Sequence, residues 1–442
     1  MRRLLRKPVR LVPLGFLAVI LVGTGLLMLP WATSQQRYTP FVTALFTSTS
    51  AVSVTGMAVT DTPNCWNAGL VMITVLTQLG GLGILTGASL VILAVSRQLG
   101  LRNRLLVQAE TAEFGLGDVR RLLLRIAATV FVTEALMTAV IATRLFLAYD
   151  YRPGRALWSA VFHSVQAFNN GGFALYSDGL IAFSRDGWVA LPLSIGAIIG
   201  GLGFPALFEA VREWRQPARW AVATKLTVWG SVVLTVFGVA YLLMAEWGNP
   251  FTIGTYDMPG KLLASFTQIA LSRTGGFDVI NVGHLTDESY PMLIGLMFIG
   301  GGSASTAGGI KVSTFFLLGF AIWAELRAAG HHCRAPPVAA ASQRQALTVA
   351  LLGVALVAGG TVGLIALTSH ISFSAALFEV TSAFSTTGLT VGVSGQLSPP
   401  GQYVLTALMY IGRIGPLTLG SAIALNTRRR LYRYPEEQPI VG

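Results

Sequence analysis

The stretch ALFTSTSAVSVTGM, residues 44–57, contains a pattern that three later stretches repeat. Each stretch ends in a short string around one glycine, and the four strings are SVTGM at 53–57, NNGGF at 169–173, RTGGF at 273–277 and STTGL at 385–389. A phenylalanine lies ten residues before each of these glycines and an alanine lies twelve residues before it. The residue after the glycine is always apolar. Shared offsets at four places predict an internal repeat.

Each string follows an apolar stretch that is too short to cross a bilayer, since a crossing helix needs about 20 residues. The four stretches cover residues 40–53, 156–169, 261–273 and 372–385. We therefore expect four re-entrant helices that end at the strings. Irregular backbone at membrane depth is tolerated only where protein or a water-filled path surrounds it. The strings are thus expected to line such a path.

Longer apolar segments flank every re-entrant stretch, at 11–31, 68–95, 122–148, 188–208, 226–247, 290–326, 347–368 and 403–425. The sixth is interrupted by GGGSASTAGG at 300–309. Hydrophobic residues make up 53% of the chain and charged residues only 11%, whereas soluble domains carry about 25% charged residues. This composition excludes a soluble or disordered chain. It predicts an all-α polytopic membrane protein with eight spans and four re-entrant pore helices.

Lysine and arginine are distributed unequally between the two sides of these spans. The chain carries 31 Lys and Arg against 19 Asp and Glu, a net charge of +12. Twenty-two of the basic residues fall at the termini and in the loops after even-numbered spans, and seven fall on the other side or in re-entrant parts. The bias predicts a multi-pass membrane protein with both termini in the cytoplasm. Because orientation accounts for the basic excess, we expect no nucleic-acid partner.

Together these patterns predict four M1–P-loop–M2 units joined by cytoplasmic loops. The predicted segments are an N-terminus at 1–10, repeat 1 at 11–96, a loop at 97–120, repeat 2 at 121–211, a loop at 212–224, repeat 3 at 225–327, a loop at 328–345, repeat 4 at 346–425 and a tail at 426–442. Four such units in one chain can surround a single ion pore with fourfold pseudo-symmetry.

The composition of the strings indicates which chemistry the pore performs. A filter for a bare cation replaces its water with rings of backbone carbonyls, and glycine tolerates the backbone conformations that such a ring requires. A re-entrant helix also directs its partly negative C-terminus toward the axis, which favours a cation. Acidic residues lie just outside the strings, where ordinary loop charges explain them as well as cation attraction does; they are Asp61, Asp178, Asp278, Asp287 and Glu288. No clustered nucleophile or metal-ligand set points to an enzyme, and the two cysteines cannot form a disulfide framework.

The repeat, the four strings, GGGSASTAGGIK at 300–311 and GRIGP at 412–416 resemble the Trk/Ktr/HKT superfamily of cation transporters, and most closely the membrane subunit of Ktr-type bacterial potassium uptake systems. The resemblance implies potassium uptake through a carbonyl-lined selectivity filter. It assigns to that filter Val54, Thr55, Gly56, Asn170, Gly171, Gly172, Thr274, Gly275, Gly276, Thr386, Thr387 and Gly388. Plant-type members that prefer sodium often have serine at the first filter position, so Gly56 implies potassium selectivity.

The resemblance also implies a gate below the filter. The gating residues are Gly300, Gly301, Gly302, Ser303, Ala304, Ser305, Thr306, Ala307, Gly308, Gly309, Lys311 and Arg413. Arg413 lies 25 residues after its filter glycine, as Gly81 and Gly301 do in the first and third repeats. An intramembrane arginine is a functional hypothesis by default. The alternative is that Arg413 pairs with a buried acid such as Glu134.

Partners and ions follow from the resemblance alone. It implies a homodimer in the lipid bilayer of the bacterial plasma membrane, regulated by a separate cytoplasmic ring of nucleotide-binding subunits. No cofactor is expected in this chain; K⁺ is the transported ion and Na⁺ remains open as a coupling or activating ion. One alternative is a sodium-permeable or non-selective transporter of the same superfamily. A secondary solute transporter is disfavoured, because its inverted repeats differ from the parallel units predicted here.

Overall fold

The computed structural model of the chain describes residues 8–98, 119–328, 340–368 and 370–425. These residues are helical, with two isolated bridges, Thr33–Trp66 and Ile299–Ile310, and no longer strand. The longer helices are α1 Pro8–Leu27, α2 Phe41–Val52, α3 Ala68–Gln98, α4 Val119–Ala148, α5 Pro153–Asn169, α6 Gly187–Leu202, α7 Phe204–Arg212, α8 Val222–Glu246, α9 Met258–Ser272, α10 Ser289–Phe298, α11 Val312–Ala328, α12 Ala340–Leu367, α13 Phe373–Phe384 and α14 Pro399–Leu425. The segments predicted at 1–10, 97–120, 328–345 and 426–442 lie largely outside the described residues.

Four short helices precede the four glycine strings, and each has a membrane-length or broken helix on either side. They are α2, α5, α9 and α13. Helices α5 and α9 begin three residues earlier than the sequence predicts, because a proline occupies one of their first two positions, where its missing N–H costs nothing. The repeated alanines Ala44, Ala160, Ala264 and Ala376 are all fully buried. The alanines at this shared offset are thus core positions of the four short helices.

Several helices meet the length and hydropathy expected of a membrane span. In the described part of the chain they are Arg121–Ala148, Val222–Glu246 and Ser342–Leu367, and the bent pair Gly187–Leu202 and Phe204–Arg212 qualifies if it counts as one span. Shorter apolar helices, such as Val12–Leu27 and Ser289–Phe298, accompany them. The class predicted from composition, an all-helical protein with several membrane helices, is therefore confirmed.

The segment predicted as a span at 188–208 is present but broken into two helices, which the sequence did not indicate. Helix α6 ends at Leu202, and α7 leaves it at an angle of 103°. Gly203 joins them with φ +88°, a conformation that glycine adopts without steric cost, and Pro205 then favours a new helix start. The apolar pattern continues across the bend and conceals it in the sequence.

The predicted interruption of the sixth segment is present. Helix α10 ends at Phe298 and α11 begins at Val312. Ala304 and Gly309 between them adopt positive φ angles of 53° and 66°. We call residues 299–310 the break. It lies against α6 and α7, because the Gly302 amide donates to the Gly201 carbonyl (2.8 Å) and the Phe204 amide donates to the Ala304 carbonyl (3.3 Å).

Candidate functional site

The backbone of the four glycine strings is strained in a shared way. Gly56, Gly172, Gly276 and Gly388 have φ angles of +85°, +71°, +69° and +97°. Two residues earlier, Val54, Asn170 and Thr386 also have positive φ angles, at 57°, 62° and 49°. Non-glycine residues in this region are uncommon and persist only where the surroundings enforce them. The first, second and fourth strings therefore hold a backbone conformation that a non-glycine side chain disfavours.

The four strings contact one another in the order of the chain and close on themselves. A Cβ on Gly56 would overlap the Gly171 carbonyl, and one on Gly172 would lie 3.0 Å from the Cα of Gly276. A Cβ on Gly276 would overlap the Thr387 carbonyl, and one on Gly388 would overlap the Thr55 carbonyl. The first string thus meets the second, the second the third, the third the fourth and the fourth the first. We call this arrangement the glycine ring.

The amides of the strings are held by the short helices behind them. The Thr55 amide donates to the Ser50 carbonyl (2.8 Å), and the Gly171 amide donates to the Gln166 carbonyl (2.6 Å). The amides of Gly275 and Thr387 make equivalent bonds to Leu271 (2.6 Å) and Ser382 (2.9 Å). Each string is thereby fixed to the end of its own helix through its N–H groups.

The carbonyls of the strings have no such partners. Within the described residues, none of the twelve carbonyl oxygens at 54–56, 170–172, 274–276 and 386–388 accepts a hydrogen bond. Eleven of these twelve residues are buried and Gly172 is half-buried, and more than nine in ten buried backbone groups in proteins are paired. A concentration of unpaired, buried acceptors in one ring is what a desolvated cation would satisfy. The filter residues implied by the sequence are therefore brought together, with their acceptors unused.

Polar side chains of the first three strings bind one another or the break, whereas the hydroxyls of Ser385, Thr386 and Thr387 in the fourth string are buried without a hydrogen-bond partner. The Thr274 hydroxyl donates to Asn170 Oδ1 (3.0 Å), and Asn170 Nδ2 donates to Thr306 Oγ1 in the break (2.7 Å). The Ser53 and Thr55 hydroxyls are 2.7 Å apart. In the first three strings the backbone is therefore the available ligand, and in the fourth string the Thr386 and Thr387 hydroxyls are available as well as the carbonyls.

The break joins the second and fourth strings. The Thr306 amide donates to the Gly200 carbonyl (3.1 Å), and the Thr306 hydroxyl donates to the Phe168 carbonyl at the end of α5 (3.3 Å). At its other end, a Cβ on Gly308 would lie 2.5 Å from the Ser385 carbonyl at the end of α13. The predicted gating residues Gly300–Gly309 therefore contact the base of the glycine ring.

Two positively charged side chains that were predicted to act in gating, those of Arg413 and Lys311, donate hydrogen bonds to the break. Arg413 is 4% exposed, and its Nη1 donates to the Thr306 carbonyl. Lys311 Nζ donates to the Ala307 carbonyl at 2.7 Å. The alternative pairing of Arg413 with Glu134 is not present. Glu134 instead accepts bonds from Asn169 Nδ2 (3.1 Å) and Gln78 Nε2 (3.4 Å).

Gly412, the residue before Arg413, packs against the end of a short helix, and glycines in two other membrane helices do the same. A Cβ on Gly412 would overlap the Phe384 carbonyl at the end of α13. Gly80 and Gly200 make the same close approach to the carbonyls of Val52 and Phe168, at the ends of α2 and α5. Arg413 thus follows a close-packing glycine, as Gly81 and Gly201 do.

The sequence analysis did not identify Arg273, which also donates to the break, from Nη2 to the Gly300 carbonyl (2.9 Å). The available signal was a charged residue inside a glycine string, where the other three strings have serine or asparagine.

One acid lies close outside the ring. Asp278 follows the third string, and burial, together with the nearby Glu379 carboxylate, raises its pKa to about 8. Its Oδ1 is buried without a hydrogen-bond partner. The neutral form of this carboxyl is therefore favoured over the charged form, which reduces the negative charge that it adds near the ring.

Comparison with known proteins gives a consistent result. The family of TrkH cation transport proteins matches residues 11–427. The Ktr system potassium uptake protein B of Vibrio alginolyticus is 36% identical over 98% of this chain and 94% of its own length. The protein of the same name from Bacillus subtilis (strain 168) is 33% identical over 98% and 97%. The potassium/sodium uptake protein NtpJ of Enterococcus hirae is 30% identical over 100% and 99%.

A solved structure shares the fold. The crystal structure of the potassium transporter TrkH from Vibrio parahaemolyticus matches with a TM-score of 0.65 and 21% identity, over 94% of this chain and 85% of that one. The family match covers the short helices, the glycine ring and the break, and it confirms the resemblance read from the strings. The chain is a multi-pass membrane protein that transports cations rather than an enzyme, and it belongs to the TrkH family of cation transport proteins.

Proposed function

We propose that this chain is the potassium-translocating subunit of a bacterial uptake system of the Ktr type. The glycine ring is its selectivity filter, and the break with Arg413 and Lys311 is its gate. The names of the relatives support potassium as the ion. Gly56 at the first filter position is consistent with that choice.

The unpaired carbonyls of the ring carry the proposal. Leaving one buried acceptor without a partner costs about 1–3 kcal/mol, so a ring of them is expected only where a ligand compensates. K⁺ is bound in filters by carbonyl oxygens that replace its hydration shell. The ends of α2, α5, α9 and α13 add partly negative charge at the same place. The ring therefore suits a dehydrated monovalent cation.

The arrangement of the units is the second part of the proposal. Four M1–P-loop–M2 repeats surround one pore with fourfold pseudo-symmetry, eight spans and four re-entrant helices. The cyclic contacts of the four glycines support this arrangement. So does the shared approach of Gly80, Gly200 and Gly412 to the ends of three short helices.

The gate follows from the contacts below the ring. The break crosses between the second and fourth strings, and two cationic side chains hold its carbonyls. A positive charge beneath the filter raises the barrier to a cation, and withdrawal of the break lowers it. A cytoplasmic ring of nucleotide-binding subunits would control this step. The chain works as a homodimer in the plasma membrane, with both termini in the cytoplasm.

Ion flux into liposomes tests the proposal. The purified chain is reconstituted, and uptake of K⁺ and Na⁺ is measured separately, each with and without an opposing Na⁺ gradient. We expect uptake with K⁺ preferred over Na⁺. Equal uptake of both ions would favour the non-selective alternative, to which the name of NtpJ also points. Absence of any monovalent cation flux, with solute uptake in its place, would contradict the proposal.

A further inference from the structure

Arg273 occupies a register position that all four units share. The residue three before each filter glycine lies at the C-terminal end of the short helix, and these residues are Ser53, Asn169, Arg273 and Ser385. Ser53 bonds back to its own helix, because its hydroxyl donates to the Thr49 carbonyl (2.6 Å). Only the third unit has a charged side chain at this position. The Arg273 side chain reaches other elements of the structure.

The guanidinium of Arg273 joins three elements. Nη2 donates to the Gly300 carbonyl in the break at 2.9 Å. The contacts with Ser231 on α8 are longer, at 3.5 Å to its carbonyl and 3.4 Å to its hydroxyl. Arg273 is 8% exposed, and its Nε has no hydrogen-bond partner. The bond to Gly300 is thus its shortest.

Arg273 has no neutralising acid. Among the described residues, no carboxylate lies within ion-pair distance of it. A buried arginine inside a membrane protein is costly unless backbone carbonyls or other acceptors satisfy it. The end of α9 offers partly negative charge, and the break offers the Gly300 carbonyl. Movement of the break would therefore remove the best acceptor that Arg273 has.

The end of α9 is tied directly to the glycine ring. The amides of Gly275 and Gly276 both donate to the Leu271 carbonyl, at 2.6 and 3.0 Å. Leu271 lies two residues before Arg273 on the same helix. A shift of this helix end would displace the third string. Arg413 and Lys311 also bind the break, but Arg413 lies on α14 and Lys311 precedes α11, so neither belongs to a short helix.

We propose that Arg273 is a positioning residue that couples the gate to the filter. Its bond to Gly300 holds the end of α9, and with it the third string, in the geometry seen when the break is in place. This inference rests on the proposed function of the ring and the break. It adds that gate position and ion preference are linked through the third unit.

The test measures flux and ion preference together. Arg273→Gln, Arg273→Lys and the unchanged chain are reconstituted in liposomes, and K⁺ and Na⁺ uptake are compared. We expect Arg273→Gln to change the rate and to lower K⁺ preference about fivefold or more, the lower range of coupling between sites. Arg273→Lys should recover part of the preference, since an ammonium still donates to the Gly300 carbonyl.

A matched control lies on the same helix. Lys261 is also 8% exposed, and its Nζ donates to the Trp247 carbonyl at 2.8 Å, at the opposite end of α9 from the break. Lys261→Gln therefore removes a comparable buried cation without reaching the gate. We expect its ion preference to match that of the unchanged chain.

Three outcomes decide the inference. Arg273→Gln with altered flux and unaltered ion preference would overturn it, as would Arg273→Gln that behaves like the unchanged chain. If Arg273→Gln does not fold, Gly300→Ala replaces it, because a methyl there overlaps the Gly308 carbonyl and displaces the acceptor. Unaltered preference in Gly300→Ala would also overturn the inference. Absence of K⁺ flux in the unchanged chain would instead contradict the proposed function.

Discussion

At the scale of single residues, Gly56 tests whether the ring selects ions. Its φ of +85° and the overlap of an added Cβ with the Gly171 carbonyl leave no room for a side chain. Gly56→Ser should displace one quarter of the ring and reduce K⁺ over Na⁺ discrimination by about tenfold, which corresponds to about 1.4 kcal/mol. Relative uptake of the two ions in liposomes measures it.

The control for Gly56 is Gly392, which has nearly the same φ of +86° but nothing within 4 Å of an added Cβ. Gly392→Ser introduces the same backbone strain away from the ring. The preference of the Gly392→Ser protein for K⁺ over Na⁺ should equal that of the unchanged chain. Equal effects of the two substitutions would attribute the loss to strain and not to the filter.

Arg413 tests the electrostatic barrier below the ring. Two unit charges about 4 Å apart repel by about 4 kcal/mol at an effective dielectric constant of 20. Arg413 also holds the Thr306 carbonyl of the break. Arg413→Ala removes both effects, so the maximum K⁺ flux should rise several-fold while ion preference stays the same.

The exposed Arg344 provides a charge-matched control, and Arg344→Ala should leave flux unaltered. A well-folded Arg413→Ala protein with slower flux would contradict the barrier. Loss of folded protein would favour a structural role for the buried side chain.

At the scale of elements, the glycines of the break account for its path. A Cβ on Gly302 would overlap the Leu202 carbonyl, and one on Gly301 would overlap Ala307. The pair of substitutions Gly301→Ala and Gly302→Ala should therefore displace the break and change K⁺ flux. K⁺ preference should fall with the change in flux, because the displaced break carries the Gly300 carbonyl away from Arg273.

Gly319→Ala is the control for the break, because Gly319 lies in α11 and an added Cβ meets nothing within 4 Å. It should preserve flux and, if anything, stabilise the helix, since alanine is favoured over glycine by about 1 kcal/mol. Wild-type flux and regulation in the doubly substituted break would refute its gating role.

Much of the element order was predictable because the apolar lengths differ so clearly. The re-entrant stretch predicted at 40–53 is the helix Phe41–Val52, and the interruption predicted at 300–309 lies between Phe298 and Val312. The bend at Gly203 was not predictable, because the apolar pattern runs through it. It depends on a tertiary contact, in which Gly203 approaches the carbonyl of Ser303.

The site was predictable only in part, because it too depends on tertiary contacts with backbone carbonyls. The shared offsets identified the four glycines, but the partners of Arg273 and Arg413 are carbonyls of the break. Backbone acceptors leave no residue-type signal in a sequence. An acid such as Glu134 was therefore the only partner for Arg413 that the sequence suggested, and it binds Asn169 and Gln78 instead.

At the scale of the whole molecule, the orientation can be tested by labelling. Tyr38 lies in the loop between α1 and α2 and is 75% exposed, and Arg215 lies in the exposed loop after α7. In a chain with Cys65 and Cys333 replaced by serine, Tyr38→Cys should react with an impermeant thiol reagent on intact cells. Arg215→Cys should react only after the cells are opened. The reverse pattern would invert the topology and place the break on the outer side.

The central claim is that the unpaired carbonyls of the glycine ring bind the transported ion. The most direct measurement is an anomalous diffraction map of the crystallised chain in Rb⁺, a substitute for K⁺ with a strong anomalous signal. The account predicts a peak inside the ring, surrounded by carbonyl oxygens from all four strings. A ring without a peak, in crystals that show Rb⁺ at another site between the helices, would contradict it.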